Sequence, residues 1–304
     1  MHPGRTAAVA AWIERAFLPL VVLGALIGFA APAAPRAIDD HHGIELALVV
    51  LVFASASTID LSDLARLRVV VPRLLAAAVA AMIVLPALAY GVSRLFGSPD
   101  IRHAVLAVGV APAEVATIGI AAMAGAEAAV ASLLLVVSTV TSVALAGPLL
   151  AVMGGRGVST VGVLVDLSWV VAAPFVVGLL AGRIVRRLGG KLVGLELCSA
   201  VAVLVLVWLV SGQAHLSASY VGVAAGFVTL IGLSAAIGAA LACGLATEVR
   251  RSVLLSLSMR DFAIASGIAT SAFGARAAGP LGLYGVLVLT WGAVVARVSG
   301  RAGG

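Results

Sequence analysis

Charge is what this chain of 304 residues has least of: Asp, Glu, Lys and Arg make up 11% of it, against 62% for apolar residues. So little polar surface cannot cover a water-soluble globule of this size, and a membrane protein is expected. Cysteine is nearly absent. Cys198 and Cys243 both fall in apolar runs and form neither a CxxC pair nor a His/Cys cluster of metal-ligand spacing, so both read as packing residues and no resident metal is expected. Aromatics are scarce at 5%, and the basic residues behind the net charge of +6 are scattered through short loops. Without a basic face or a stacking platform, nucleic-acid binding is excluded. The apolar runs also lack a Ser/His, HExxH or paired-aspartate protease pattern, so no enzyme chemistry is expected.

What the chain has instead is ten apolar runs, at about 16–33, 43–57, 74–92, 103–123, 128–152, 160–181, 194–213, 219–244, 252–273 and 279–296. A helix needs roughly 20 apolar residues to cross a bilayer, so these runs predict an all-α polytopic protein whose partner is lipid. With the N-terminus placed in the cytoplasm, thirteen of the 19 Lys and Arg residues fall in inside segments and five in outside loops (Arg36, Arg94, Arg102, Arg156 and Arg276), while Arg260 stays within the membrane. That bias obeys the positive-inside rule and places both termini on the cytoplasmic side of the cell's inner membrane. Arg5 and Arg15 ahead of a run ending in Ala-Pro-Ala-Ala-Pro resemble a cleavable signal peptide. Retention is the expectation here, and a mature chain beginning near Ala37 would leave only nine spans.

Ten spans divide into five plus five, over 1–155 and 156–304, and an odd number per half forces the second half to insert inverted. The fourth span of each half carries intramembrane charge: Glu114 in one, Arg260 and Asp261 in the other. A charge at the bilayer centre costs about 2.5–3.5 kcal/mol, so it persists only where a partner or a wet cavity offsets it. Helix is also weakest at these places. Pro112 lacks an amide donor and disfavours helix at Ala111, while Ser256 and Ser258 offer competing hydrogen bonds beside Met259. Both spans are predicted to be broken helices lining a shared central site.

The segment LVFASASTIDLSDLARLR (51–68), the stretch 73–96 with Pro86, the crossover APAEVATIGIAAMAGAE (111–127) and SLSMRDFAIA (256–265) together resemble the bile acid:sodium symporter family, in the superfamily that includes arsenite efflux carriers. The resemblance is one of pattern over most of the chain. It implies broken fourth and ninth helices crossing at the midplane, a core domain (about 72–152 and 216–298), a panel domain (about 10–70 and 158–214), and organic anions moving with sodium. Laid residue by residue, the family's acidic sodium ligand falls on Ser256, its Gln on Arg260, its following Asn on Asp261, its first-crossover Asn on Thr117 and its third-span Gln on Ala81. Most oxygen ligands that a hard cation requires are therefore replaced, and a guanidinium has five donors and no acceptor. Sodium coupling is put in doubt. The expectation is that Arg260 occupies the sodium space, held by Glu114, Asp261 or both.

Candidate binding residues are thus Glu114, Thr117, Ser256, Ser258, Arg260 and Asp261, with Ala111, Pro112 and Met259 as helix-break positions. Ser138, Thr139 and Thr141 read as helix-packing polar residues that could also line a pathway. Asp166 is either a proton-titrating carboxylate or an outer-interface residue. Asp39, Asp40, His41 and His42 read as an exposed loop, since nothing nearby completes a metal shell. Trp12, Trp169, Trp208 and Trp291 include interface anchors. The function expected is secondary transport of a small organic anion by alternating access, without cofactors and with protons as an available driving ion. A proton-coupled or uncoupled carrier of another solute and a transport-inactive membrane sensor are the alternatives. Arsenite efflux ranks lower, because no thiol lies between Val108 and Ala124.

Overall fold

The computed structural model describes residues 19–39, 42–60, 71–154, 158–190, 192–213 and 220–301. The readings placed on Trp12, Asp40, His41, the 61–68 loop and the N-terminal run before residue 19 lie outside these. All described elements are helices: α1 (Pro19–Ala30), α2 (Ala33–Asp39), α3 (Gly43–Thr58), α4 (Val71–Ser93), α5 (Pro99–Val110), α6 (Thr117–Met123), α7 (Ala128–Met153), α8 (Thr160–Leu167), α9 (Ala173–Arg187), α10 (Val193–Gly212), α11 (Tyr220–Leu241), α12 (Thr247–Ser258), α13 (Phe262–Phe273) and α14 (Ala275–Arg301). A π turn over Ser168–Ala172 joins α8 to α9, so that 160–187 is one continuous span.

Six helices are long and apolar enough to cross a membrane, or seven when α1 and α2, bent by 92° at the Ala31–Pro32 break, count as one span. These are the helices of an integral membrane protein. Their outward faces fit that setting: Val221, Trp169 and Leu180 are exposed on the helix surfaces, where lipid and not water gives them a favourable neighbour. Cys198 and Cys243 are exposed too. This corrects the packing role expected of them, since Cys198 sits on the outer face of α10 and Cys243 in the turn after α11.

Helix packing rests on small residues that let backbones approach. A Cβ on Gly178 or Gly182 of α9 would run into the Phe53 carbonyl and the Ser57 carbonyl of α3 respectively, so glycine at this four-residue spacing holds α3 and α9 together. Arg186, one turn further on, donates to the Ser57 and Ile59 carbonyls at 3.0 and 2.6 Å and thereby caps the end of α3. Helices α2, α3, α9 and α10 pack mainly among themselves, and α4, α5, α7 and α11–α14 form a second packed set. The α4, α7, α11 and α12 faces of that set enclose an apolar cluster that includes Leu74, Leu85, Leu134, Val253 and Leu257.

Candidate functional site

Two helices stop in the middle of the apolar core. Helix α5 ends at Val110 with Ala111 extended (φ −66°, ψ 155°), and α6 restarts at Thr117. Helix α12 ends at Ser258 with Met259 extended (φ −98°, ψ 100°), and α13 restarts at Phe262. Broken helices expose backbone donors and acceptors that must be satisfied where water is scarce. The two breaks satisfy each other. Ala113 and Arg260 form an antiparallel bridge, the Glu114 amide donates to the Met259 carbonyl at 2.8 Å, and the Asp261 amide donates to the Pro112 carbonyl at 2.9 Å. Helix α5 packs along α13 and α6 along α12, so the two spans cross at the bridge.

The helix that follows each break braces it. From α7, Ser138 Oγ accepts from the Ala113 amide at 3.0 Å and Ser142 Oγ donates to the Val110 carbonyl at 2.6 Å. From α14, Tyr284 Oη accepts from the Arg260 amide at 3.2 Å, and Trp291 Nε1 donates to Ser258 Oγ at 2.9 Å. Neither protein-family models nor curated proteins match this chain. The site therefore has to be read from its own chemistry.

All three charges are buried, with 1% of Glu114, 1% of Asp261 and 3% of Arg260 exposed. The carboxylates are held by amides. Asp261 caps α13 through the Ile264 amide, 2.8 Å from Oδ1, and Glu114 Oε2 accepts from the Phe262 amide at 3.3 Å. Both acids thus gather at the positive end of the α13 dipole, close enough to each other to interact. Arg260 goes elsewhere. Its Nη2 lies 3.5 Å from Met82 Sδ on α4, its Nε has no hydrogen-bond partner, and no carboxylate lies within ion-pair distance of it among the described residues.

This corrects the expectation that Glu114 or Asp261 holds the guanidinium. The physical reason is alternation: Arg260 and Asp261 are successive residues of extended chain, so their side chains leave on opposite sides. The acid reaches the α13 amides and the base faces α4. What remains is a buried cation whose Nε has no partner, and three more buried polar atoms of the candidate residues also lack partners: Asp261 Oδ2, Thr117 Oγ1 and Ser256 Oγ.

Of the predicted residues, Pro112, Glu114, Met259, Arg260 and Asp261 lie in the paired segments, and Ala111, Thr117 and Ser258 flank them. Ser256 lies on the last turn of α12. Asp166 is exposed and accepts from Ser271 Oγ of α13 at 2.5 Å. His42 pairs with Glu45 at the start of α3, and no group of three or more His, Cys, Asp or Glu capable of holding a metal is found among the described residues. Tyr284, Ser142 and Met82 escaped sequence reading, and Trp291 turns inward to Ser258 instead of anchoring an interface. One sign was available: Ala81, the position aligned with an ion ligand in the resembled family, is next to Met82.

Proposed function

We propose that this protein is a secondary transporter of small organic anions, working by alternating access in the inner membrane with both termini in the cytoplasm. The observation that carries the reading is the pairing of two helix breaks around a buried guanidinium whose Nε has no partner and whose Nη2 meets only a thioether. An organic carboxylate or sulfonate supplies the acceptors that Arg260 lacks. Irregular backbone at membrane depth is tolerated where it is buried in protein or lines a substrate cavity, and transporters place their sites at such interrupted helices.

Ten spans in two inverted halves, 1–155 and 156–304, are part of the proposal. Six or seven helices qualify by length and composition; the remaining spans are α3, of 16 residues, and the two broken pairs α5–α6 and α12–α13. The matching braces, α7 on the first break and α14 on the second, support a repeat. A panel made of α1–α3 and α8–α10 would rock against a core made of α4–α7 and α11–α14. The Asp166–Ser271 hydrogen bond that joins these two groups is exposed, where it can break at little cost, and this favours relative motion.

Sodium coupling is not part of the reading. Its would-be ligand positions hold a guanidinium (Arg260), a methyl (Ala81), two hydroxyls (Thr117 and Ser256) and one carboxylate (Asp261), whose Oδ1 is taken by a helix amide. Proton-coupled or uncoupled transport is proposed instead. The test is uptake of radiolabelled organic carboxylates and sulfonates into proteoliposomes, in sodium and in choline media. Uptake is expected in both media and is expected to fall to background in Arg260→Met. Strict sodium dependence would overturn the coupling assignment, and saturable binding without uptake would make the protein a membrane sensor.

A further inference from the structure

A second basic site lies away from the crossover. At the ends of α4, α5 and α7 a cavity of about 160 Å³ is lined by Tyr90, Ser93, Arg94, Arg102 and His103, closed on one side by Leu106, Met153 and Gly154. Two guanidiniums and an imidazole thus converge on a space large enough for a small oxyanion. Neither Arg94 nor Arg102 forms an ion pair with a carboxylate among the described residues. Asp100, which interacts with His103 through its charge, does not line the cavity.

The walls are positioned, not merely crowded. His103 stacks on Phe273, the last residue of α13, with ring centroids 3.9 Å apart and planes 3° from parallel. Arg94 lies over the Tyr90 ring, its guanidinium carbon 5.9 Å from the centroid, so the aromatic face orients the cation. Ser93 turns its hydroxyl back to the Tyr90 carbonyl at 2.7 Å and leaves the cavity to the cationic groups. Two arginines at adjacent helix ends present forked donors that match the geometry of an oxyanion.

We propose that this cavity is a phosphate-binding site, in which Arg94 and Arg102 hold the oxyanion and His103 and Tyr90 complete its shell. The phosphate belongs either to an acidic phospholipid headgroup or to free inorganic phosphate. Because the site stands on α4 and α5 and touches the outer end of α13, occupancy would tie the two broken spans together at a distance from Arg260. The inference does not depend on the transport reading.

The full-length protein, purified in mild detergent, tests it in two arms. Native mass spectrometry reads retained phospholipid, and thermal shift reads added inorganic phosphate against chloride at matched ionic strength. A phospholipid adduct depleted at least fivefold in the Arg94→Gln/Arg102→Gln double variant assigns a headgroup. A saturable phosphate shift, lost in the same variant, assigns the free ion. Arg183→Gln, an exposed arginine on α9, should change neither readout. Monodisperse elution of the double variant confirms that it folds. The proposal is overturned if wild-type protein shows neither adduct nor shift, or if the double variant retains whichever the wild type shows.

Discussion

Replacing Arg260 by Met separates a cation kept for binding from one kept for structure. A buried ion carries a desolvation penalty of several kcal/mol, which only good pairing repays. Here the repayment is poor: one contact to a thioether at 3.5 Å, a partnerless Nε, and attraction to Asp261 without an ion pair. Substituting a similar-sized apolar side chain for buried ionic groups is neutral or stabilising by about 1–4 kcal/mol, whereas stripping one partner from a true buried pair costs about 3–5 kcal/mol. The two situations differ in sign. Each kcal/mol moves Tm by roughly 2–4 °C in a protein of 150–250 residues, so Arg260→Met should hold or raise Tm by a few degrees in a detergent thermal-unfolding assay. Its uptake in proteoliposomes should be lost. A Tm fall of about 6 °C or more would refute the reasoning, because it would mean that the guanidinium is a paired structural charge. Undiminished uptake would refute its part in binding.

Three further outcomes follow from the geometry. Ser138→Ala strips the acceptor from the buried Ala113 amide and should cost about 1–3 kcal/mol by thermal unfolding, while Ser132→Ala, whose hydroxyl bonds only within α7, should cost much less. Gly182→Ala forces a Cβ into the Ser57 carbonyl and should cost at least the roughly 1–3 kcal/mol typical of overpacking, read as lower Tm and yield; Gly194→Ala, with open space around it, is the matched control. Asp166→Ala removes the direct hydrogen bond to Ser271 at an exposed position, so it should leave stability within about 0.5 kcal/mol of wild type yet change the rate of uptake; an unchanged rate would count against motion between the two helix sets.

The all-helical, membrane-spanning character and both breaks were legible because they rest on local chemistry. A run of apolar residues must be helical in lipid, and a proline or a pair of serines tells where helix is weakest. Pro112 marked the first break, and Ser256, Ser258 and Met259 marked the second, within a residue or two of where the helices stop. The partner of Arg260 was not legible, for two reasons. Side-chain direction flips at each residue of extended chain, so it depends on where the backbone leaves the helix, which hydropathy does not report. Helix amides also compete for carboxylates, and an α13 N-terminus beside Glu114 exists only once the two spans have crossed. Tyr284 and Trp291 were hidden differently. In an apolar run either ring reads as packing or as an interface anchor, and only the depth of α14 against the crossover turns their polar atoms toward Arg260 and Ser258.

The division of labour at the crossover bears on what it can bind. Amides at the α13 N-terminus engage Asp261 through Oδ1 and Glu114 through Oε2, which leaves Asp261 Oδ2 buried without a partner. A cation entering here would also meet the guanidinium of Arg260 nearby, unscreened by bulk water. An anion meets the opposite situation. In the proposed transport cycle it would meet Arg260 on the α4 side while the extended backbone keeps the acids on the other side, so attraction and repulsion would be separated by the strand itself. Reversing that order should reverse the preference: the double substitution Arg260→Asp/Asp261→Arg would turn the acid toward Met82 and aim the base at the α13 amides, which already point their own hydrogens into that space. Such a swap keeps composition and net charge, and it should nevertheless abolish anion uptake as fully as Arg260→Met does. Equal uptake by the swapped and native proteins would show that the sidedness of the pair has no role in selection.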